Sequence, residues 1–111
     1  MEHLNLTDME LAVLEVFHEL YRSRGFPSPT RISVQSRENT GGGRYVDLDT
    51  NGEVQIEDGY LDLGGRYIEM KGVPHGLMAV ILVKKRRIDQ LEIVVYGNDA
   101  WNGQELDWSI V

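Results

Sequence analysis

Residues 76–97 read GLMAVILVKKRRIDQLEIVVYG and decide the fold. Within them, residues 77–83 are seven consecutive apolar residues. This run is rich in branched side chains and too short for a stable isolated helix, so it predicts a strand buried on both faces. After a polar turn at 84–89, residues 91–96 alternate between two faces, as expected of an antiparallel neighbour. The stretch therefore predicts the centre of an antiparallel sheet, with four cations, residues 84–87, at an exposed hairpin end.

An amphipathic helix is predicted before the sheet, over about residues 7–24. Thr7 and Glu10 have the spacing of a capping box, and apolar residues then recur on one helical face. Gly25 can adopt the left-handed conformation that ends a helix, and the prolines at 27 and 29 prevent its continuation. Further strands are predicted over 31–37, 44–49, 53–57, 60–63, 66–70 and 106–110. Asn51-Gly52 is a strong signal for a type I′ hairpin between the second and third of these.

These elements predict a single α+β domain over residues 1–111: one N-terminal amphipathic helix packed on an antiparallel meander sheet of about six to eight strands. One helix covers one face of a sheet, whereas the central strand is apolar on both sides. Two solutions remain for the second face. The meander curls into a half-barrel and closes on itself, or a homodimer or partner protein lies on that face.

Composition narrows the class of protein. The chain has 111 residues, no cysteine and a formal net charge of -7. The acidity argues against a nucleic-acid partner, because a negative surface repels phosphates, and it favours basic protein partners. No segment approaches the roughly 18 apolar residues of a membrane span, and the acidic start lacks the features of an export signal. We therefore expect a soluble, cytoplasmic chain that binds neither membranes nor nucleic acid.

Residues 47–58 resemble an EF-hand calcium loop in their spacing, with oxygen side chains at the first, third and fifth positions and Gly52 at the sixth. The twelfth position is Asp58 rather than the usual Glu, and glycines instead of helices flank the segment. The hairpin interpretation is therefore favoured, and no metal site is predicted. In that hairpin, four carboxylates share the outer face of two strands and form a candidate surface for a basic partner: Asp47, Asp49, Glu53 and Glu57.

Two further groups are candidates for binding. Trp101 lies in a polar loop, where it is either an aromatic anchor for a partner or a residue that closes the edge of the core. His75 precedes the central strand, and a curled sheet would bring it to an alternative ligand site with Arg37, Glu38 and Arg44. No catalytic residue is assigned. The glycines at 41–43 lack the lysine and hydroxyl of a phosphate-binding loop, and no cofactor is expected.

In size, acidity and general plan the chain is similar to the small immunity proteins that neutralise bacterial toxins, although those proteins share no common motif. The sequence thus predicts a non-enzymatic protein-interaction module, in its more specific form an acidic inhibitor that binds a basic partner. The alternative is a small ligand-binding or enzymatic half-barrel with its site near His75.

Overall fold

One α-helix packs on a seven-stranded antiparallel sheet in the computed structural model, which describes residues 5–111. The helix, α1, spans Asp8–Tyr21. The strands are β1 (Ile32–Asn39), β2 (Gly43–Thr50), β3 (Gly59–Leu61), β4 (Ile68–Met70), β5 (Val73–Lys84), β6 (Arg87–Val95) and β7 (Ser109–Ile110). The predicted α+β class, the N-terminal helix and the antiparallel sheet are confirmed.

The ends of α1 follow the local signals. The Thr7 hydroxyl accepts a hydrogen bond from the Glu10 backbone N–H at 3.1 Å, and the Glu10 carboxylate accepts one from the Thr7 N–H at 3.0 Å. This reciprocal arrangement is the predicted capping box. After Tyr21, a 3-10 turn at Arg22–Arg24 leads to Gly25, which has a φ of 88° and so adopts the left-handed conformation.

The sheet has the order β1-β2-β6-β5-β4-β7, with β3 also paired to β5. The β5–β6 hairpin forms its centre, as the sequence predicts, although its turn is shorter than expected. Only Lys85 and Arg86 lie outside the two strands, and both have positive φ angles, 52° and 57°. One connection departs from a simple meander, because β2 pairs with β6 rather than with the segment that follows it.

The predicted hairpin at Asn51-Gly52 is wrong, and residues 53–57 form no strand. Both edges of β2 are already taken, by β1 and by β6. Val54 instead donates its N–H to the Arg86 carbonyl at 2.8 Å. Its side chain and that of Ile56 are buried in the core. The apolar alternation at 53–57 indicated a strand. In the structure it reflects the burial of two side chains, and the backbone of the segment has no partner strand.

The core lies between α1 and the inner face of the sheet. Met9, Val13, Leu14 and Phe17 of α1 pack against it, and residues 77, 79, 81 and 83 of β5 are buried there. The outer residues of β5 are half-buried instead, and the sheet does not close into a barrel. The molecule measures 20 Å along its shortest axis, which is room for two layers of about 10 Å each. The predicted burial of β5 on both faces is thus correct for the inner face alone.

The C-terminal strand is also shorter than predicted. β7 comprises two residues that pair with β4. Leu106, expected on an inward face, lies outside any strand and is exposed. The Lys71 N–H donates a hydrogen bond to the Leu106 carbonyl at 3.1 Å, so backbone contact holds the segment around Leu106 to the sheet.

Candidate functional site

The side of the sheet opposite α1 carries no second layer in the described chain, and we call it the open face. Side chains reach it from alternate positions of the strands. Its apolar residues are Met78, Val80, Leu82 and Val94. Its tyrosines are Tyr45, Tyr60, Tyr67 and Tyr96. Its carboxylates are Glu38, Asp47, Asp49, Glu69 and Glu92.

Glu92 lies at the middle of the open face. Strand register places it opposite Tyr45 on one side and opposite Val80 on the other. The charge of this carboxylate also acts on Tyr60 of β3. The negative charge of Glu92 raises the pKa of Tyr60, and partial desolvation, a hydrogen bond to Glu92 and the nearby Tyr45 phenol act in the same direction.

Tyr60 lies on a strand that is not adjacent to that of Glu92. It belongs to β3 and pairs with Leu82 of β5, which pairs with Gln90 of β6. Two strand spacings and an offset of two residues along β6 therefore separate its Cα atom from that of Glu92 by about 12 Å. Leu82 and Val80 are half-buried although no second layer covers them. Tyr60 itself remains 64% exposed.

A second tyrosine–glutamate pair lies towards the β4 side. The Tyr67 hydroxyl donates to Glu69 at 3.2 Å, and this contact raises the pKa of Tyr67. The Tyr67 ring lies against Gly76, where a Cβ atom would be 3.0 Å from the ring and 2.7 Å from the Ile68 carbonyl oxygen. Gly76 therefore leaves the space that the ring occupies. Tyr96 lies on the same side of the sheet, its N–H bonded to the Gly76 carbonyl.

Carboxylates predominate on the part of the open face around Glu92, and the cations lie at its margins. Lys84 and Arg87 pair with each other at the hairpin end, and Lys71 and Arg66 line cavities beside Tyr67 on the β4 side. None of the ion pairs formed within residues 5–111 involves Glu92 or Glu69. Asp47 accepts hydrogen bonds from the Ser36 hydroxyl and the Gln90 amide. The Ser36 bond, followed by the Gln90 bond, lowers the pKa of Asp47, which favours its charged form.

The predicted surface of four carboxylates is divided by the structure. Asp47 and Asp49 lie on the outer side of β2, where they belong to the open face. Glu53 and Glu57 are exposed but lie outside the strands, because the expected second strand does not form. The four carboxylates therefore do not line two adjacent strands.

Arg37 and Arg44 are brought together, but around an internal carboxylate instead of a ligand. Arg37 binds Glu10 through two hydrogen bonds of 2.5 and 2.8 Å. Hydrogen bonding to Glu10 is the main cause of the raised pKa of Arg37. Arg44 binds Glu10 at 3.1 Å and Glu105 at 2.5 Å. Glu10 is fully buried. The sequence predicted Glu10 only as a capping residue and missed its role as the anchor of two arginines.

The other members of the alternative ligand site are dispersed. Glu38 pairs with Tyr45 and so lies on the opposite side of the sheet from Arg37 and Arg44. His75 is exposed, and its Nδ1 lies 3.0 Å from the Asp99 carboxylate. The structure therefore does not bring His75 together with these residues, since His75 contacts Asp99 whereas Arg37 and Arg44 bind Glu10, and the sheet is not closed into a barrel.

Trp101 closes the edge of the core and is only 4% exposed. Its indole N–H donates to the Gln104 carbonyl at 2.7 Å, and the Arg44 guanidinium carbon lies 4.7 Å from the centre of its ring. Of the two interpretations of Trp101, the structure therefore supports the core position, and the ring offers little surface to a partner.

Asp58, the twelfth residue of the segment that resembles a calcium loop, binds the backbone of the β5–β6 turn. Its carboxylate accepts the backbone N–H groups of Lys85 and Arg86 at 3.0 and 2.9 Å. Both bonds lower the pKa of Asp58, and the bond from Arg86 contributes the larger part. Across the described chain, no group of three or more His, Asp or Glu residues is arranged to hold a metal ion.

The tyrosines of the open face were missed by the sequence analysis. Tyr45, Tyr60 and Tyr96 stand at alternate, outward positions of predicted strands, which was the available signal. Their common face depends on β2 and β3 reaching the sheet beside β6 and β5, and local patterns do not specify that pairing.

Within residues 5–111, no helix has the length and apolar character needed to cross a membrane. Comparison of the chain with protein-family models, with curated proteins and with solved structures gives no match.

Proposed function

We propose that the chain is a non-enzymatic protein-interaction module that binds a basic protein through the open face. The observation that carries the proposal is the composition of that face: half-buried aliphatic side chains at its centre, four partly exposed tyrosines around them, and carboxylates between. Tyrosines and methionine are enriched in protein interfaces, and contiguous apolar patches on monomers mark interaction sites.

The charge of the face selects the occupant. Two copies stacked through this face would bring Glu92, Asp47 and their neighbours against carboxylates, and such like-charge contacts are unfavourable. A basic partner gains from the same charges and associates faster at low ionic strength. A homodimer through this face is therefore disfavoured relative to a complex with a basic protein.

The more specific form of the proposal is an acidic inhibitor of the immunity type, acting in the cytoplasm. A protein of this kind blocks a basic groove of its target by offering carboxylates in place of phosphates. The net charge of -7 and the absence of cysteine support this form.

Site-specific photocrosslinking tests the proposal. A photoreactive phenylalanine analogue at Tyr45 or Tyr96 is expected to capture a basic protein in cells of the source organism. The same analogue at the exposed Glu19 of α1 serves as the matched control on the opposite side. The captured protein is then purified and its binding measured by calorimetry at low and high salt. Capture from Glu19 alone, or a purified pair that does not bind, would contradict the proposal.

A second candidate function is small-ligand binding near His75. An open cavity of about 630 Å³ is lined by residues that include His75, Glu69 and Tyr67. The Asp99 carboxylate fixes one nitrogen of the imidazole, which leaves Nε2 for a ligand. An NMR screen of small molecules tests this candidate, and shifts confined to the 69–76 region that His75→Ala abolishes would support it.

A further inference from the structure

Glu92 places a specific demand on whatever covers the open face. It stands on β6, one of the two central strands, and its direct neighbours are Tyr45 and Val80. No cation within residues 5–111 forms an ion pair with it. The side chain opposite it on β2 is the Tyr45 phenol, which carries no compensating charge.

Covering this carboxylate without a cation is strongly unfavourable. A partner that packs on Val80 and its apolar neighbours removes water from Glu92 as well, because the side chains are adjacent on one face. An unpaired charge that loses its hydration costs more free energy than the surrounding apolar contact returns. A partner that brings a cation to this point avoids that cost and gains a charge-assisted hydrogen bond.

The tyrosine beside Glu92 favours one kind of cation. Tyr45 lies directly opposite Glu92 in the strand register, so a group bound to the carboxylate lies against its phenol ring. A guanidinium is planar, stacks on aromatic rings and is more weakly hydrated than an ammonium group. Resting on the proposed function, we infer that the basic partner places an arginine side chain on Glu92, stacked on the ring of Tyr45.

A short peptide provides the probe. We use an acetylated and amidated heptapeptide with leucine at its second and sixth positions, arginine at its fourth and serine at the others. Residues two apart in an extended chain point to the same side, so the leucines match the spacing of Met78 and Leu82 and the arginine lies over Val80, beside Glu92. The same peptide with citrulline in place of arginine is isosteric and uncharged. Binding to the full chain is followed by NMR titration.

The arginine peptide is expected to bind saturably, with the largest shifts at Tyr45, Tyr60 and Glu92, and the citrulline peptide is not. Glu92→Gln is expected to weaken binding on the order of tenfold, since it removes the charge at the contact. Glu69→Gln is the matched control, because it removes one charge from the same face at a distance from Tyr45 and Tyr60. It is expected to weaken binding by no more than about twofold, the effect of net charge alone.

Three results would overturn the inference: no saturable binding at millimolar arginine peptide, equal binding of the citrulline peptide, or equal effects of Glu92→Gln and Glu69→Gln. The inference and the proposed function fail separately. A partner captured from Tyr45 or Tyr96 and unaffected by Glu92→Gln would leave the proposed function standing while overturning the arginine contact. Absence of any capture from the open face would contradict the proposed function itself.

Discussion

The Glu10 carboxylate and the Arg44 guanidinium lie 3.1 Å apart, and both side chains are almost completely withdrawn from solvent. Arg44 also binds Asn39, Gly103 and Glu105, so this one side chain joins α1 to the β1–β2 hairpin and the C-terminal loop. The helix is thus fixed on the sheet by charge as well as by apolar packing.

Removal of the charge at this contact is expected to be costly. Glu10→Gln keeps the size of the side chain but leaves Arg37 and Arg44 without their common counter-ion. Breaking a buried ion pair by changing one partner typically destabilises a protein by about 3 kcal/mol or more. Chemical denaturation checks this value. Glu15→Gln, on the exposed side of α1, is the control, and a loss equal to that of the control would contradict the prediction.

Two substitutions on β5 test whether the open face is exposed to solvent. Val83→Ala removes a fully buried side chain of β5 and should cost about 2 kcal/mol of unfolding free energy. Val80→Ala makes the same chemical change on the open face and should cost less than about 1 kcal/mol, since Val80 is already half in water. Equal costs in equilibrium unfolding would mean that the open face is covered in solution.

Glu92→Gln is expected to lower the pKa of Tyr60. The charge of Glu92 is the main cause of the raised value, because it opposes formation of a second negative charge on the phenolate. NMR titration of the tyrosine Cζ resonances measures the change, with Tyr67 as the internal reference, since its own pKa is governed by Glu69. A Tyr60 pKa that does not move would place Glu92 away from the phenol.

The contribution of Asp58 to stability is expected to depend on pH. Its hydrogen bonds to the Lys85 and Arg86 N–H groups lower its pKa in the folded state. A group of this kind stabilises the fold above its unfolded pKa of about 3.9, and the contribution is lost as the pH falls through the folded value. Wild type should therefore exceed Asp58→Asn in thermal stability at neutral pH, and the difference should vanish in strong acid. A difference independent of pH would contradict this assignment.

Substitution of the two residues of the β5–β6 turn is expected to stabilise the protein. Lys85 and Arg86 have positive φ angles, which cost residues with a Cβ atom about 1 kcal/mol each. Asparagine and glycine adopt this type I′ geometry more easily. The double substitution Lys85→Asn and Arg86→Gly should therefore raise the melting temperature. The reversed order, Lys85→Gly with Arg86→Asn, is a control for the loss of two charges, and a melting temperature below wild type in both would contradict the expectation.

Features that depend on near neighbours follow from local sequence alone. Thr7, Glu10 and Gly25 specify the ends of the helix through contacts within a few residues, and the structure has the capping box and the left-handed glycine where these residues predict them. The seven apolar residues at 77–83 likewise indicate the central strand, since the run is rich in branched side chains and too short for a stable helix, although only its inner face is buried.

Only the tertiary structure decided which strands meet. Asn51-Gly52 favours a local hairpin, yet β2 pairs with β1 and with the distant β6, so the segment after Gly52 has no free strand edge to join. The same long-range pairing sets Tyr45 beside Glu92 and places Tyr60 opposite Leu82 of β5. Register between distant strands is fixed by the total burial of the sheet, a sum over the whole chain, and no single stretch of sequence carries it.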